Sequence, residues 1–197
     1  PLEARLAAHA RTECVTAPNF AQQPALMQAI SLVVLSARRD GLDPAFGQEM
    51  MLMGLAKAAG KTTVSLESPA AQLSALAPKD AAELPATVAQ IVDTLDSGQA
   101  RRLLNRVAQV WASGDMDLLS RYEAWCECLN TEAERAQMRR LNDERNTGLA
   151  QAIHAQMLLG HTVFAAVGAL HMAGPRALPT LMAERGWTVQ RVAFAPM

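Results

Sequence analysis

Two side chains capable of acid–base or metal chemistry close two separate apolar runs. Thr162 to Val167 is short, β-branched and aromatic, which predicts a buried strand, and Gly168-Ala-Leu-His171 follows it. Lys61-Thr-Thr-Val-Ser-Leu66-Glu67 predicts a second strand with Glu67 at its carboxyl end. Ligands of open α/β sheets bind outside the carboxyl ends of the strands. Parallel neighbours would therefore bring the Glu67 carboxylate and the His171 imidazole to one sheet edge. There the pair could share a divalent ion or act as general base and orienter. The ordinary alternatives are a solvated Glu opening a turn and a loop His bonded to a nearby carbonyl.

A third candidate lies on the longest expected helix. Thr131-x-x-Glu134 has the spacing of a capping box and opens a run from Glu132 to about Leu159. Its apolar positions include Met138, Leu141, Leu149, Ile153 and Met157. Arg145 stands four residues from both Leu141 and Leu149, in line with that stripe, and Asn142 and Asn146 flank it. A charge aimed at the core is costly unless it is paired or faces a cleft. Arg145 is thus either half of a structural ion pair or part of a site, since perturbed charges serve both ends. His154 and His161 stand seven apart and do not match the four-residue spacing of a zinc-binding pair.

The elements that must hold these residues can be traced from the pattern. Gly168 is placed to turn the chain sharply, Pro175 suits a first helical turn, and Leu178, Leu181 and Met182 repeat at helical spacing. Gly186 reads as a C′ residue, and Trp187 to Ala193 as a further strand. Upstream, Pro1 to Arg11 could be helical. Pro24 opens a helix with Leu26, Met27, Ile30, Val33 and Val34 on its apolar face, and another runs from about Ala45 to Ala59. Its methionines read as core filler. From Asp80 to Trp125 everything reads as helix: Asp80-x-x-Glu83 as a capping box, Leu84, Val88, Ile91, Val92 and Leu95 as one face, Trp111 as a core anchor. The expected fold is α/β, predominantly helical by residue count. Its small, mostly parallel sheet has strands near 62–67, 162–167 and 187–193, with a large helical insertion after the first.

Composition narrows the function classes. Of 197 residues half are hydrophobic, but with only four Phe, three Trp and one Tyr, so Ala, Leu, Val and Met must do the packing. A net charge of −1 gives no basic footprint for nucleic acid and no polybasic membrane anchor. No apolar run approaches the roughly 20 residues of a membrane span. Cys14, Cys126 and Cys128 match neither a zinc pattern nor a disulfide framework. Cys126-x-Cys128 could chelate a metal with help from elsewhere, or the cysteines could simply pack. One bridge from Cys14 to either of the others is open in an oxidising compartment.

Several spaced motifs resemble those of the TraB/PrgY/GumN family, which includes the Tiki-type metalloproteases. They are Gly41-Leu-Asp-Pro, Gly47-x-Glu49, Ala58-x-Gly60-Lys61, Leu66-Glu67 with Gln72, Trp111-x-x-Gly114-Asp115, Glu144-Arg145-Asn146, Gly168-Ala-Leu-His171 with Gly174-Pro175, and Glu184-Arg-Gly186-Trp-Thr-Val. The resemblance implies a metal-dependent hydrolase such as a peptidase, or a non-catalytic peptide- or ligand-binding protein on the same fold. It assigns Glu67, His171 and Arg145 to catalysis, Asn146 and Gly168 to the substrate, and His171 with Glu67 to a divalent Mn, Co or Zn ion. It also implies a peptide or small-molecule substrate and an extracytoplasmic location. The family's first Gly-x-x-His motif has no counterpart among residues 1–40. The expectation is accordingly a single domain over 1–197, truncated at its N-terminus, weak in metal binding alone, and prone to homodimerise through an open sheet edge.

Overall fold

The computed structural model describes residues 2–193. Along the chain the helices are α1 (Leu2–Thr12), α2 (Ala25–Leu35), α3 (Gln48–Ala58), α4 (Pro69–Leu76), α5 (Leu84–Asp96), α6 (Gln99–Ser113), α7 (Met116–Ser120), α8 (Tyr122–Trp125), α9 (Glu132–Arg139), α10 (Arg145–Leu158) and α11 (Leu178–Glu184). Pro1, expected at the head of the first helix, lies outside the described residues.

The described residues contain no β-strand, and the fold is all-helical rather than α/β with a mostly parallel sheet. The three runs expected as strands, near 62–67, 162–167 and 187–193, have no regular secondary structure beyond a bend at 66–67. β-Branched composition reports only a fit to a pleated, half-buried surface, and a strand needs a partner to take its backbone bonds. Here Val163 and Val167 pack against a helical core, whereas Phe164 between them is 82% exposed. Val64, Val189 and Val192 are exposed as well. With the sheet goes the open edge on which homodimerisation was expected.

The chain divides into two compact units, one running up to Thr63 and over Leu76–Asp115, the other over Val64–Ala75 and from Met116 onward. In the first, α1, α2 and α5 bury Leu6, Leu26, Ala29, Leu32, Val88, Val92 and Leu95, with Phe20 and Ala100 at the same core. The α5 face is the expected one from Val88 on, with Ile91 packed at its edge, while Leu84 at the start of the helix is exposed. The α2 face overlaps the expected one: Leu26 is buried and Ile30 and Val33 pack against the core, but Ala29 and Leu32 are the fully buried residues and Val34 is exposed. That helix is apolar nearly all round, so its pattern sets no phase, and small Ala29 allows close approach. Arg5 ties α1 to α5 by ion pairs to Asp93 and Asp96, and His9 adds a 2.6 Å contact to Asp96.

The methionines of α3 are not core filler. Met50, Met51 and Met53 are exposed, and Phe46 before them is 87% exposed. Trp111 is half exposed rather than a core anchor. Asp80 accepts from the Ala82 amide and opens a short 3-10 turn, Ala81–Glu83, so the expected capping box becomes a turn ahead of α5. The box at Thr131 and Glu134 does form, with both reciprocal bonds.

In the second unit, α10 and α11 build the core from Leu149, Ala150, Ile153, Leu178 and Leu181, with Leu66, Met157, Val163, Val167 and Met182 packed against it. Pro179, not Pro175, occupies the first turn of α11. The long helix expected from Glu132 is continuous in its backbone angles but interrupted in its hydrogen bonding by a π turn at Arg140–Glu144.

Candidate functional site

The π turn ends immediately before Arg145. A π turn inserts extra chain into a helical turn and shifts the phase of the residues after it; such turns occur often at functional sites. Its backbone also gains side-chain partners: Arg145 Nη1 donates to the Leu141 carbonyl at 3.0 Å. One turn residue, Asn142, reaches outward and donates from Nδ2 to the Leu170 carbonyl at 3.1 Å. This holds the short 3-10 turn Ala169–Met172, on which His171 sits.

Arg145 grips Glu67 with both arms of its fork: Nε donates to Oε1 at 2.9 Å and Nη2 to Oε2 at 2.5 Å. The Arg145 and Glu67 side chains are 24% and 13% exposed, so the pair is mostly withdrawn from water. Bidentate pairing of this kind is among the stronger polar contacts. The Arg145 hydrogen bonds hold the Glu67 carboxyl below its ordinary range against an opposing effect of burial, and the Gln72 side chain adds a further bond. The guanidinium is in turn raised by Glu67.

Asn146 is the one buried polar residue among those described, at 0% exposure. Its Nδ2 donates to the Arg176 carbonyl at 2.8 Å and lies 3.4 Å from the His171 carbonyl. With the nitrogen so committed, Oδ1 is the acceptor facing His171 Nδ1 at 2.6 Å. The imidazole must then carry its proton on Nδ1 and present an unprotonated Nε2. Burial first, and the Arg145 charge second, push its pKa below the ordinary value, against a smaller opposite pull from Glu67. His171 is therefore held neutral near pH 7, with its basic nitrogen free.

The structure brings Glu67, Arg145, Asn146 and His171 together, through helix and turn rather than through strand ends. Asn146 is spent on positioning His171. Gly168 precedes His171 with an unexceptional φ of −58°, so no left-handed turn calls for glycine there, and its carbonyl accepts from the His171 amide at 2.9 Å. Asn142 also belongs to the cluster as a turn-holding residue; its place beside Arg145 on the helix was the available signal.

A family model describing the TraB/PrgY/gumN family matches residues 2–191. The chain belongs to the TraB/PrgY/gumN family. No curated protein and no solved structure matched it. Membership implies a divalent ion at Glu67 and His171, and the residues present do not fit one. Both Glu67 oxygens are engaged by Arg145, and Nδ1 of His171 is engaged by Asn146. His171 Nε2 is then the one ligand atom without a hydrogen-bond partner, and a cation at Glu67 would have to compete with the Arg145 guanidinium, whereas catalytic sites of this class commonly use three protein ligands. No group of three or more His, Cys, Asp or Glu among the described residues could hold a metal ion. No helix among them is long and apolar enough to cross a membrane.

Proposed function

We propose that this TraB/PrgY/gumN-family chain is a hydrolase, acting on a peptide or small-molecule acyl substrate, with His171 as its proton-accepting group. The Asn146–His171 contact supports this reading most directly. A neutral imidazole with a fixed tautomer and a free Nε2 is the equipment of a general base. In the step proposed, Nε2 takes a proton from water as the water oxygen attacks the substrate carbonyl carbon. The resulting imidazolium then returns that proton to the leaving amine or alkoxide as the acyl bond breaks. Three of the five N–H groups of Arg145 are accounted for by Glu67 and Leu141, which leaves donors for the developing oxyanion. Glu67 acts by fixing Arg145. No step runs through a metal ion.

One observation favours a second reading, a non-catalytic peptide- or ligand-binding protein: Glu67 is clamped by Arg145 and further bonded by Gln72, the arrangement of a structural ion pair rather than of an acid or base poised for a substrate. A panel of chromogenic peptide amides and esters separates the two. Turnover that falls by about 10²-fold or more in His171→Ala, with the fold intact, supports the hydrolase, since general bases contribute about 10²–10⁴-fold. Saturable binding of peptides without turnover, unaffected by His171→Ala, overturns it.

A further inference from the structure

Outside the cluster of Glu67, Arg145, Asn146 and His171, Cys126 and Cys128 are joined in a disulfide spanning a single residue, with their Cα atoms 5.1 Å apart. Cys14, which sequence allowed as a partner, is free and exposed. We propose that the Cys126–Cys128 pair is a thiol–disulfide exchange site that oxidises dithiols.

Five observations bear on this. Closing a ring around one residue removes very little freedom from the unfolded chain, so the bond is a poor structural staple. Glu127 inside the ring has φ +53°, a left-handed conformation that strains a residue with a side chain. The two sulfurs are unequal: Cys126 is 3% exposed, while Cys128 is partly open to solvent. The Cys128 amide donates to Cys126 Sγ at 3.1 Å, which would stabilise negative charge on the buried sulfur. Cys128 Sγ lies 3.4 Å from the Tyr122 hydroxyl, which burial keeps as a neutral phenol and hence a donor. Both sulfurs thus have a donor, and the difference in exposure makes Cys128 the sulfur an incoming thiolate meets and Cys126 the leaving group.

The exchange balances with a dithiol as the reductant. Its first thiolate attacks Cys128 Sγ; a new S–S bond forms, the Cys126–Cys128 bond breaks, and the electron pair departs on Cys126 Sγ. The second thiolate of the dithiol then attacks the dithiol sulfur of the mixed disulfide and releases Cys128. The dithiol loses two electrons and two protons, and the cysteine pair gains them.

The test uses the full chain carrying Cys14→Ser, equilibrated in glutathione buffers of graded ratio, with dithiothreitol as the dithiol probe, then alkylated and weighed by mass spectrometry. Two thiols should appear together within the glutathione range, with the thermal unfolding midpoint almost unmoved. Glu127→Gly, which accepts the positive φ without strain, should demand a several-fold more reducing ratio. With Cys126→Ser the remaining Cys128 should form a glutathione adduct readily, and with Cys128→Ser the buried Cys126 should not. A pair that stays oxidised over the whole range, or is isolated as two thiols without added reductant, overturns the proposal. So does a large loss of thermal stability on reduction, which would make the bond a staple.

Discussion

Asn146 fixes the tautomer of His171. The amide nitrogen of Asn146 is held by the Arg176 carbonyl, its oxygen faces Nδ1 of the imidazole at 2.6 Å, and no water reaches it. Asn146→Leu should leave the Nδ1–H and the Arg176 carbonyl without partners, at about 1–3 kcal/mol for each group that stays buried. Asn146→Asp keeps an acceptor but adds a negative charge, so it should raise the His171 pKa. Nitrogen NMR of the imidazole reads both effects. A wild-type spectrum with the proton on Nε2 would show that the amide is oriented the other way.

Burial and the Arg145 charge depress His171, so its folded pKa lies below its ordinary value of 6.5. A depressed imidazole contributes stability above the unfolded pKa and loses it as pH falls through the folded one. Unfolding free energy should accordingly drop as pH falls below about 6.5, and His171→Gln should flatten that part of the profile. Any turnover should keep its acid limb below pH 6.5. A limb centred above it would remove His171 as the base.

The Glu67–Arg145 pair makes a second pH-dependent contribution at lower pH. Glu67 is lowered from its ordinary 4.5, so its contribution is complete above that value and lost as pH falls through the lowered one. Arg145→Met should cost about 1–3 kcal/mol at neutral pH, because it strands a mostly buried carboxylate. The gap from wild type should shrink as pH falls, because burial without the guanidinium raises the stranded carboxyl's pKa and it then takes up a proton more readily than in wild type. Urea unfolding at neutral and at acid pH checks this, and an equal gap at both would mean that the pair carries no folding energy.

Calorimetric titration with Mn²⁺, Co²⁺ or Zn²⁺ should give weak binding or none. A single free imidazole nitrogen cannot satisfy an ion that ordinarily takes three or four protein ligands. Stoichiometric tight binding, abolished by His171→Ala, would show that Glu67 leaves Arg145 to join a metal.

Gly168→Ala should be tolerated. The backbone there has an ordinary φ, and an added Cβ would sit 3.7 Å from His171 Cδ2, normal van der Waals contact. The expected change in stability is within about 0.5 kcal/mol, as for surface substitutions generally. A larger loss, read by thermal unfolding, would mean that the His171 turn needs glycine for a reason its geometry does not display.

Local chemistry was legible in the chain itself. Thr131 and Glu134 specify their capping box by spacing alone, and Val88, Val92 and Leu95 specify the inner face of α5, because both signals act within two turns of one helix. Arg145 stood out because a charge in line with an apolar stripe needs a partner. The spaced motifs pointed to the family whose model the chain matches. The tertiary structure decided what lies between elements. The runs at 62–67, 162–167 and 187–193 have strand-like residues, but a sheet depends on which backbones meet, and these meet none among the described residues. The bidentate pairing of Glu67 with Arg145 sets a guanidinium charge where a metal would have to sit, a fact set by contact across 78 positions rather than by residue type. The π turn ahead of Arg145, the tautomer of His171 and the choice of Cys128 over Cys14 as partner of Cys126 arise the same way: each depends on which groups packing brings within reach.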